Sequence, residues 1–373
     1  MTTPTELRVL QFCHGYDGPF LDCARQYASL FVGTPYKVTT VYLTGAPSVE
    51  VELGSASDEV VFLDYRSRDV RGLKLKAIRD IKRLVAGRNF QFCIAHRFKP
   101  IYVALLGTDL PVIGVHHGFG DYQRLSRKLF ANYFRKRLAL LGVSNAVRDE
   151  IRACLPSWPA ERIETLYNRI DIAAVQAEQV CRDDARAHLG LPQDAWVVGN
   201  VGRLHPDKDQ ATLIRGFAQA LPQLPAGSLL AIMGSGRLES SLKALAAELG
   251  VSTSVRFLGQ VPQGRRYFKA FDVFALTSDH EPFGMVLLEA MAAGVPVICS
   301  DCGGGREVVE GVGRLFALAD RAALASQLRA QALAAQPSAD QQEVAFARLQ
   351  ACFSDASVVR RFWTLPLVTG LRE

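Results

Sequence analysis

The sequence predicts an α/β protein built from two doubly wound halves, each with a parallel sheet. Short apolar runs rich in β-branched residues alternate with stretches of helical period along the whole chain. The alternation runs once to about Ser144 and restarts at Trp196. Several runs exit into glycine-containing turns, at Gly15, Gly118, Gly202 and Gly234. In open parallel sheets, ligands bind beyond the carboxyl ends of the strands.

In the first half, Arg8–His14 reads as a buried strand ending in His14-Gly15-Tyr16-Asp17-Gly18, and a helical pattern follows over about 20–32. Further strands are expected at 37–43, 60–63, 92–96, 111–116 and 138–144, and residues 71–86 have helical spacing with a strongly basic face. In the second half, strands are expected at 196–201, 228–233, 255–259, 273–276 and 295–299, with helices at about 210–220, 238–249 and 285–292. The division predicts a first domain over 1–170, with the linker near Tyr167–Asp171, and a second over 171–352. The final segment, 353–373, reads as a helix returning to the first domain. With their strand ends facing, the two halves would enclose one interdomain cleft.

The chain has 373 residues, 49% of them hydrophobic and 21% charged, enough for two ordinary domains with their own cores. Its start lacks a basic region followed by an apolar one, so no secretory leader is expected, and no apolar run is long enough for a membrane-spanning helix. Eight scattered cysteines do not form a disulfide framework and fit a reducing compartment. Cys299-Ser300-Asp301-Cys302 has CxxC spacing, but no second pair completes a metal site, and buried thiols at a strand end are the expectation. The net charge of +6 is uneven: residues 1–170 carry 24 basic and 16 acidic residues, and 17 of those basic residues against 5 acidic ones fall between Asp64 and Arg137. A one-sided basic surface attracts anionic partners or is simply a solvated face. Nucleic acid is not the expected partner, because no helix-turn-helix, RRM or zinc signature is present.

The motifs narrow the chemistry. The absence of GxxxxGK[ST] excludes a P-loop, and no GxGxxG opens a helix after the first strand, which weakens a nicotinamide enzyme. Gly234-Ser235-Gly236 is equally a tight turn or a ligand contact. Arg203 and Lys208 lie five residues apart on a strand-to-helix loop. Such a pair can clamp a diphosphate, or can be solvated. His280-Glu281-Pro282-Phe283-Gly284 then leads into a helix from Met285. Gly284 permits close backbone approach, and the free N–H groups of Met285 and Val286 would point at an anion. Glu281 and Glu289 flank that helix start and can reach two ends of one ligand.

Gly202-Arg203-Leu204 with Lys208, Glu281 and Glu289 with seven residues between them, Glu289-Ala290-Met291-Ala292-Ala293-Gly294-Val295-Pro296-Val297-Ile298, and Gly303-Gly304 together resemble the retaining glycosyltransferases of family 4. The resemblance covers the second half in order and spacing; the first half matches in outline. It implies the GT-B fold, two facing Rossmann-like domains, with the first binding acceptor and the second a nucleotide sugar. It also implies roles: Arg203 and Lys208 on the donor diphosphate, Glu289 on the ribose, and Glu281 on the donor sugar. Phe283, Gly284, Met285 and Val286 would line the same site, Leu258 would lie near the nucleobase, and Gly15 would admit the donor phosphates. A histidine would contact the sugar near its C6 hydroxyl; His116 and His117 are both available, and His117, directly before Gly118, is the choice. Glu281 and His117 are thus the catalytic candidates. Pro282 stands where relatives often carry a small residue, which implies a stiffer loop.

The resemblance further implies transfer with retention from a nucleotide diphosphate sugar, a UDP-hexose being the expected donor, with no metal and no cofactor. The basic stretch over 66–88 and the cluster Arg124, Arg127, Lys128, Arg135, Lys136 and Arg137 suit a phosphorylated glycolipid on an anionic leaflet. The resemblance to bacterial family 4 enzymes, which His117-Gly118-Phe119-Gly120-Asp121-Tyr122 shares, implies lipopolysaccharide core assembly by a cytoplasmic enzyme held peripherally at the inner face of the membrane. Capsule or exopolysaccharide synthesis is the alternative within the class, and a UDP-sugar 2-epimerase the alternative outside it.

Overall fold

The computed structural model describes residues 6–334 and 339–370, without the side chain of Ala339. Met1–Thr5, read above for a leader, and the end of the C-terminal segment lie outside the described residues. Two compact units are present, one running to Asn168 and resuming at Val358, the other spanning Arg169–Ser357. Both have the expected doubly wound α/β architecture.

The first unit holds seven parallel strands: β1 (Leu7–Cys13), β2 (Tyr36–Thr44), β3 (Glu59–Tyr65), β4 (Phe90–His96), β5 (Val112–His116), β6 (Leu138–Gly142) and β7 (Ile163–Thr165). Their order is β3-β2-β1-β4-β5-β6-β7, so the winding reverses at β1, between β2 and β4. Strands covered on both faces must be apolar throughout. Val9, Leu10 and Phe12 of β1 are fully buried, and the one polar residue among them, Gln11, gives its amide to the Ala24 carbonyl at 2.9 Å. The helix expected over 71–86 runs Leu75–Val85, because Lys74 takes a left-handed backbone (φ 54°) and starts the helix late. β6 stops at Gly142, and Ser144 instead caps the next helix, accepting the Val147 amide.

The C-terminal helices Asp355–Thr364 and Pro366–Thr369 are one predicted helix broken at Pro366. The part from Val358 onward belongs to the first unit, where the Trp363 indole donates to the Leu30 carbonyl at 3.1 Å and Phe31 packs edge-on to Phe362 and Trp363.

The second unit holds six parallel strands: β8 (Val197–Val201), β9 (Leu229–Met233), β10 (Val255–Gly259), β11 (Val273–Leu276), β12 (Val297–Ser300) and β13 (Arg314–Phe316). The order is β10-β9-β8-β11-β12-β13, and the reversal falls at β8, between β9 and β11. Its core packs Val198, Leu230, Ile232, Ala275 and Ile298 of the sheet against Leu213, Phe217 and Leu324 of the covering helices. β7 and β13, three residues each, were not expected from sequence. Among the described residues, no helix is long and apolar enough to cross a membrane.

Candidate functional site

The reversal at β8 leaves two loops side by side at the carboxyl ends of β8 and β11, the place where an open α/β sheet takes ligand. After β8 the chain runs Gly202-Arg203-Leu204 to Lys208, and after β11 it runs Thr277 to Gly284. The two loops are tied together: the Thr277 hydroxyl donates to the Lys208 and Asp209 carbonyls at 3.0 Å each, and the Asp279 amide donates to the Asp207 carbonyl at 3.2 Å.

Across this junction the Lys208 ammonium donates to Glu281 Oε2 at 2.7 Å, and the Ser278 hydroxyl donates to the same oxygen at 3.0 Å. Glu281 is buried, 6% exposed, so the ammonium and hydroxyl offset the loss of water around its carboxylate. The Glu281 carbonyl in turn accepts the Gly304 amide at 2.8 Å, which pins the loop to the start of the Gly303–Val309 helix. Gly304 is required there, since a Cβ would lie 2.3 Å from the Pro282 carbonyl oxygen.

Gly284 (φ 98°) turns the chain into the helix Met285–Ala292, and no side chain caps that helix. Its first amides and the helix dipole favour an anion at this end. Met285 and Val286 are half-buried, and Phe283 is buried, edge-on to Phe353. Glu289, farther along the same helix, lines a cavity of about 720 Å³ with Gly202, Gly234, Gln260, Val261 and Arg265. Arg265 is held in place by a two-point pair with Glu178, both contacts at 2.7 Å.

Gly234-Ser235-Gly236 has a packing role as well as lining this cavity. A Cβ on Gly234 would lie 1.9 Å from the Gly202 carbonyl oxygen, and one on Gly236 would lie 2.3 Å from that of Leu204. The β8 and β9 loops therefore meet backbone to backbone. The CxxC cysteines are free thiols beneath the Glu281 loop. Burial raises the Cys299 and Cys302 thiols, and Cys302 Sγ donates to the Ser278 carbonyl at 3.0 Å.

The structure thus brings Lys208, Glu281, Gly284, Met285, Val286 and Glu289 to one edge. Two expected residues stand differently. The Arg203 side chain is 73% exposed and pairs with Asp207 at 3.5 Å, so it does not join the Lys208–Glu281 pair. Leu258 falls in a bulge of β10 between Phe257 and Gly259, and the residues that line the cavity after it are Gln260 and Val261. Asp207 and Asp209 flank Lys208 with Asp-x-Asp spacing, but Asp209 accepts the Thr212 amide and Asp207 pairs with His205 and Arg203.

In the first unit, Gly15 follows β1, where the His14 carbonyl takes both the amide and the hydroxyl of Thr44, at 2.9 and 2.7 Å. A Cβ on Gly15 would lie 2.8 Å from that hydroxyl, so the glycine serves close packing against the end of β2. His116 and His117 separate cleanly. His116 is fully buried and uses both nitrogens, Nδ1 with Asp121 at 2.8 Å and Nε2 with the Tyr122 hydroxyl at 3.2 Å. His117 is partly exposed, stacks on His96, and shares a 2.9 Å hydrogen bond between its Nε2 and His96 Nδ1. Burial, with His116 and Arg97 nearby, lowers His117 to about 3. Burial also lowers His14 to about 4, helped by Lys99 and Arg97. His96 was missed as a site residue because only the pairing of β4 with β5 brings it to His117.

Comparison with known proteins agrees with this architecture. Residues 182–341 match the family described as "Glycosyl transferases group 1", and residues 24–174 match "Glycosyltransferase Family 4". The chain is similar to the lipopolysaccharide core biosynthesis glycosyltransferase LpsE of Rhizobium meliloti, 43% identical over 113 residues (30% of this chain, 32% of that protein). It is also similar to the D-inositol 3-phosphate glycosyltransferase of Nocardia farcinica, 35% identical over 220 residues (56% of this chain, 46% of that protein). The chain thus covers less than half the length of these curated relatives. In fold it resembles the Anabaena protein HepE in complex with UDP-glucose, with a TM-score of 0.77 at 20% identity, covering 98% of this chain and 99% of that one. The two Rossmann-like units are those of the GT-B glycosyltransferase fold.

Proposed function

We propose that this chain, whose two units each match a glycosyltransferase family, moves a hexose from a UDP-sugar to a lipopolysaccharide core or related glycolipid acceptor, with retention and without a metal. The observation that carries the reading is the Lys208–Glu281 pair beside the uncapped start of Met285–Ala292, with Glu289 of that helix in the neighbouring cavity. An anion at the helix start meets amides and the Lys208 ammonium. A ribose in the cavity meets Glu289. The LpsE relative supports the acceptor class, and the UDP-glucose bound by HepE supports the donor class.

In the proposed reaction the acceptor oxygen bonds to the anomeric carbon as the bond from that carbon to the diphosphate breaks. The leaving phosphate takes the acceptor proton. Negative charge grows on the diphosphate, where Lys208, the helix amides and a swung-in Arg203 stabilise it. Glu281 orients the donor sugar and is not assigned as a covalent nucleophile. The basic surface of the first unit supports a peripheral position at the cytoplasmic face of the membrane.

A second reading of the acceptor, a phosphorylated cyclitol, is favoured by the inositol 3-phosphate relative. The comparisons give no support to the epimerase alternative. Calorimetric titration with UDP, UDP-glucose, UDP-galactose, GDP-mannose and ADP-glucose, with Glu289→Ala alongside, tests the donor. Micromolar binding of a UDP-sugar, lost in the variant, is expected. Binding by no nucleotide overturns the reading.

A further inference from the structure

The first unit carries an apolar stripe that its own fold does not cover. On the nine-residue helix Leu125–Tyr133, Leu125, Leu129 and Tyr133 are 69%, 61% and 83% exposed. They are four apart, so they follow one side of the helix. The other side is anchored. Ala131 is fully buried, Phe130 packs on Tyr102 at 4.9 Å, Asn132 accepts the Trp158 indole at 2.7 Å, and Arg127 pairs with Asp121.

A second apolar pair, Leu73 and Leu75, is 67% and 60% exposed. Between them Lys74 places its ammonium 4.7 Å over Tyr102, the same ring that Phe130 touches, so both apolar groups flank the helix Phe98–Gly107. Exposed apolar residues on a soluble surface are ordinarily scattered singly. Here they are interleaved with exposed cations: Arg71 and Lys76 beside the pair, and Arg124, Arg135 and Lys136 beside the stripe, with Lys128 half-buried. The Leu125–Tyr133 helix contains no acid. The Lys74 and Lys99 ammonium groups are lowered by burial first and then by neighbouring cations, which shows how crowded with positive charge this side is.

We propose that this side of the first unit seats on an anionic lipid bilayer, with Leu125, Leu129 and Tyr133 inserted among the acyl chains and Arg124, Lys128, Arg135 and Lys136 on the headgroups. An exposed apolar stripe flanked by cations is the arrangement that lies in a membrane interface. The charge selects an anionic bilayer over a second copy of this surface, which would repel itself. The inference deepens the membrane contact proposed above and rests on it, while needing no particular donor or acceptor.

The test is flotation of the full chain with vesicles of phosphatidylcholine alone or with phosphatidylglycerol, at low and high salt. Two variants accompany it: Leu125→Gln/Leu129→Gln/Tyr133→Gln, and Arg124→Gln/Lys128→Gln/Arg135→Gln. UDP titration of each variant reports the second unit independently. Wild type is expected to float only with the anionic vesicles. The apolar variant should partition roughly tenfold or more weakly. The charge variant should lose roughly 100-fold and most of its salt dependence. UDP binding should not change in either.

No flotation of a chain that binds UDP overturns the membrane inference alone; flotation without UDP binding overturns the donor reading alone. Equal flotation of the apolar variant overturns the insertion. So does a self-association, seen by sedimentation and abolished in the apolar variant, in a chain that ignores vesicles. Salt-sensitive binding to RNA with no vesicle binding likewise overturns it.

Discussion

The Lys208 ammonium and the Glu281 carboxylate meet at 2.7 Å although they stand 73 positions apart in the chain. Neither group is well solvated, with side chains 19% and 8% exposed. The pair joins the ends of β8 and β11, and it holds one cation and one acid at the start of the Met285–Ala292 helix. Under the proposed function, a donor phosphate arriving there would compete with Glu281 for Lys208.

Removing one member of the pair should therefore cost stability as well as function. Lys208→Ala leaves Glu281 buried with only the Ser278 hydroxyl, and about 3 kcal/mol is expected in urea unfolding, the low end for a broken buried pair because the ammonium keeps some access to water. Glu281→Gln retains an acceptor for Lys208 and Ser278 and should cost about 1 kcal/mol. In sugar transfer, Lys208→Ala should lose roughly 100-fold or more in kcat if the ammonium stabilises the departing diphosphate. A double variant much less unstable than the sum of the two singles would show that the pair acts as a unit.

Gly304 gives a way to move Glu281 without touching a charge. A Cβ at this position would lie 2.3 Å from the Pro282 carbonyl oxygen and 2.7 Å from Phe283 Cα, both backbone atoms of the loop that carries Glu281. Gly304→Ala must displace that loop or the Gly303–Val309 helix. About 1–3 kcal/mol of destabilisation is expected, as for overpacking elsewhere. Nucleotide affinity should fall with it. Unchanged affinity on calorimetry would mean that the loop position does not set the anion site.

How far the sequence foretold this site follows from what each signal encodes. Long apolar runs and the helix-period stretch after Gly284 placed β8, β9, β11 and the Met285–Ala292 helix, and with them Lys208, Glu281 and Glu289. Spacing places a residue on a loop but does not set its rotamer, and the pairing of the Arg203 side chain with Asp207 could not be read from it. Leu258 rests on the family resemblance alone, and the register shift that leaves it unpaired in β10 is not visible in the period-2 pattern. His96 depends on strand order, a non-local property. β7 and β13 are too short for any alternation to register.

The C-terminal helix offers a test confined to the first unit. Phe362 is fully buried and Trp363 donates to the Leu30 carbonyl, both against Phe31. Phe362→Ala should destabilise that unit by about 3–5 kcal/mol. Amide hydrogen exchange should then speed up in β1 and β2 and stay slow in β8 and β9. Uniform acceleration in both units would show that they unfold together.

Acid should weaken the first unit before its carboxylates titrate. His117 is lowered to about 3, His14 to about 4, and His96 lies well below the usual histidine range, in each case chiefly through burial. In the unfolded chain all three take up a proton near pH 6.5. The unfolded state therefore binds more protons below that pH, and stability falls as pH drops. The contribution is fully present above about pH 6.5, and it is lost progressively as pH descends toward the folded values. The buried His96 contributes up to about 1.4 kcal/mol per pH unit in this window, and His14 and His117, with more water around them, contribute less. Unfolding midpoints measured from pH 7.5 to 5 should fall, and His117→Asn should flatten the slope while leaving a donor of similar shape beside His96. A midpoint that does not move between pH 7 and 5 would show that these rings protonate inside the fold without penalty, and would remove the histidine pair as the acid-sensitive element.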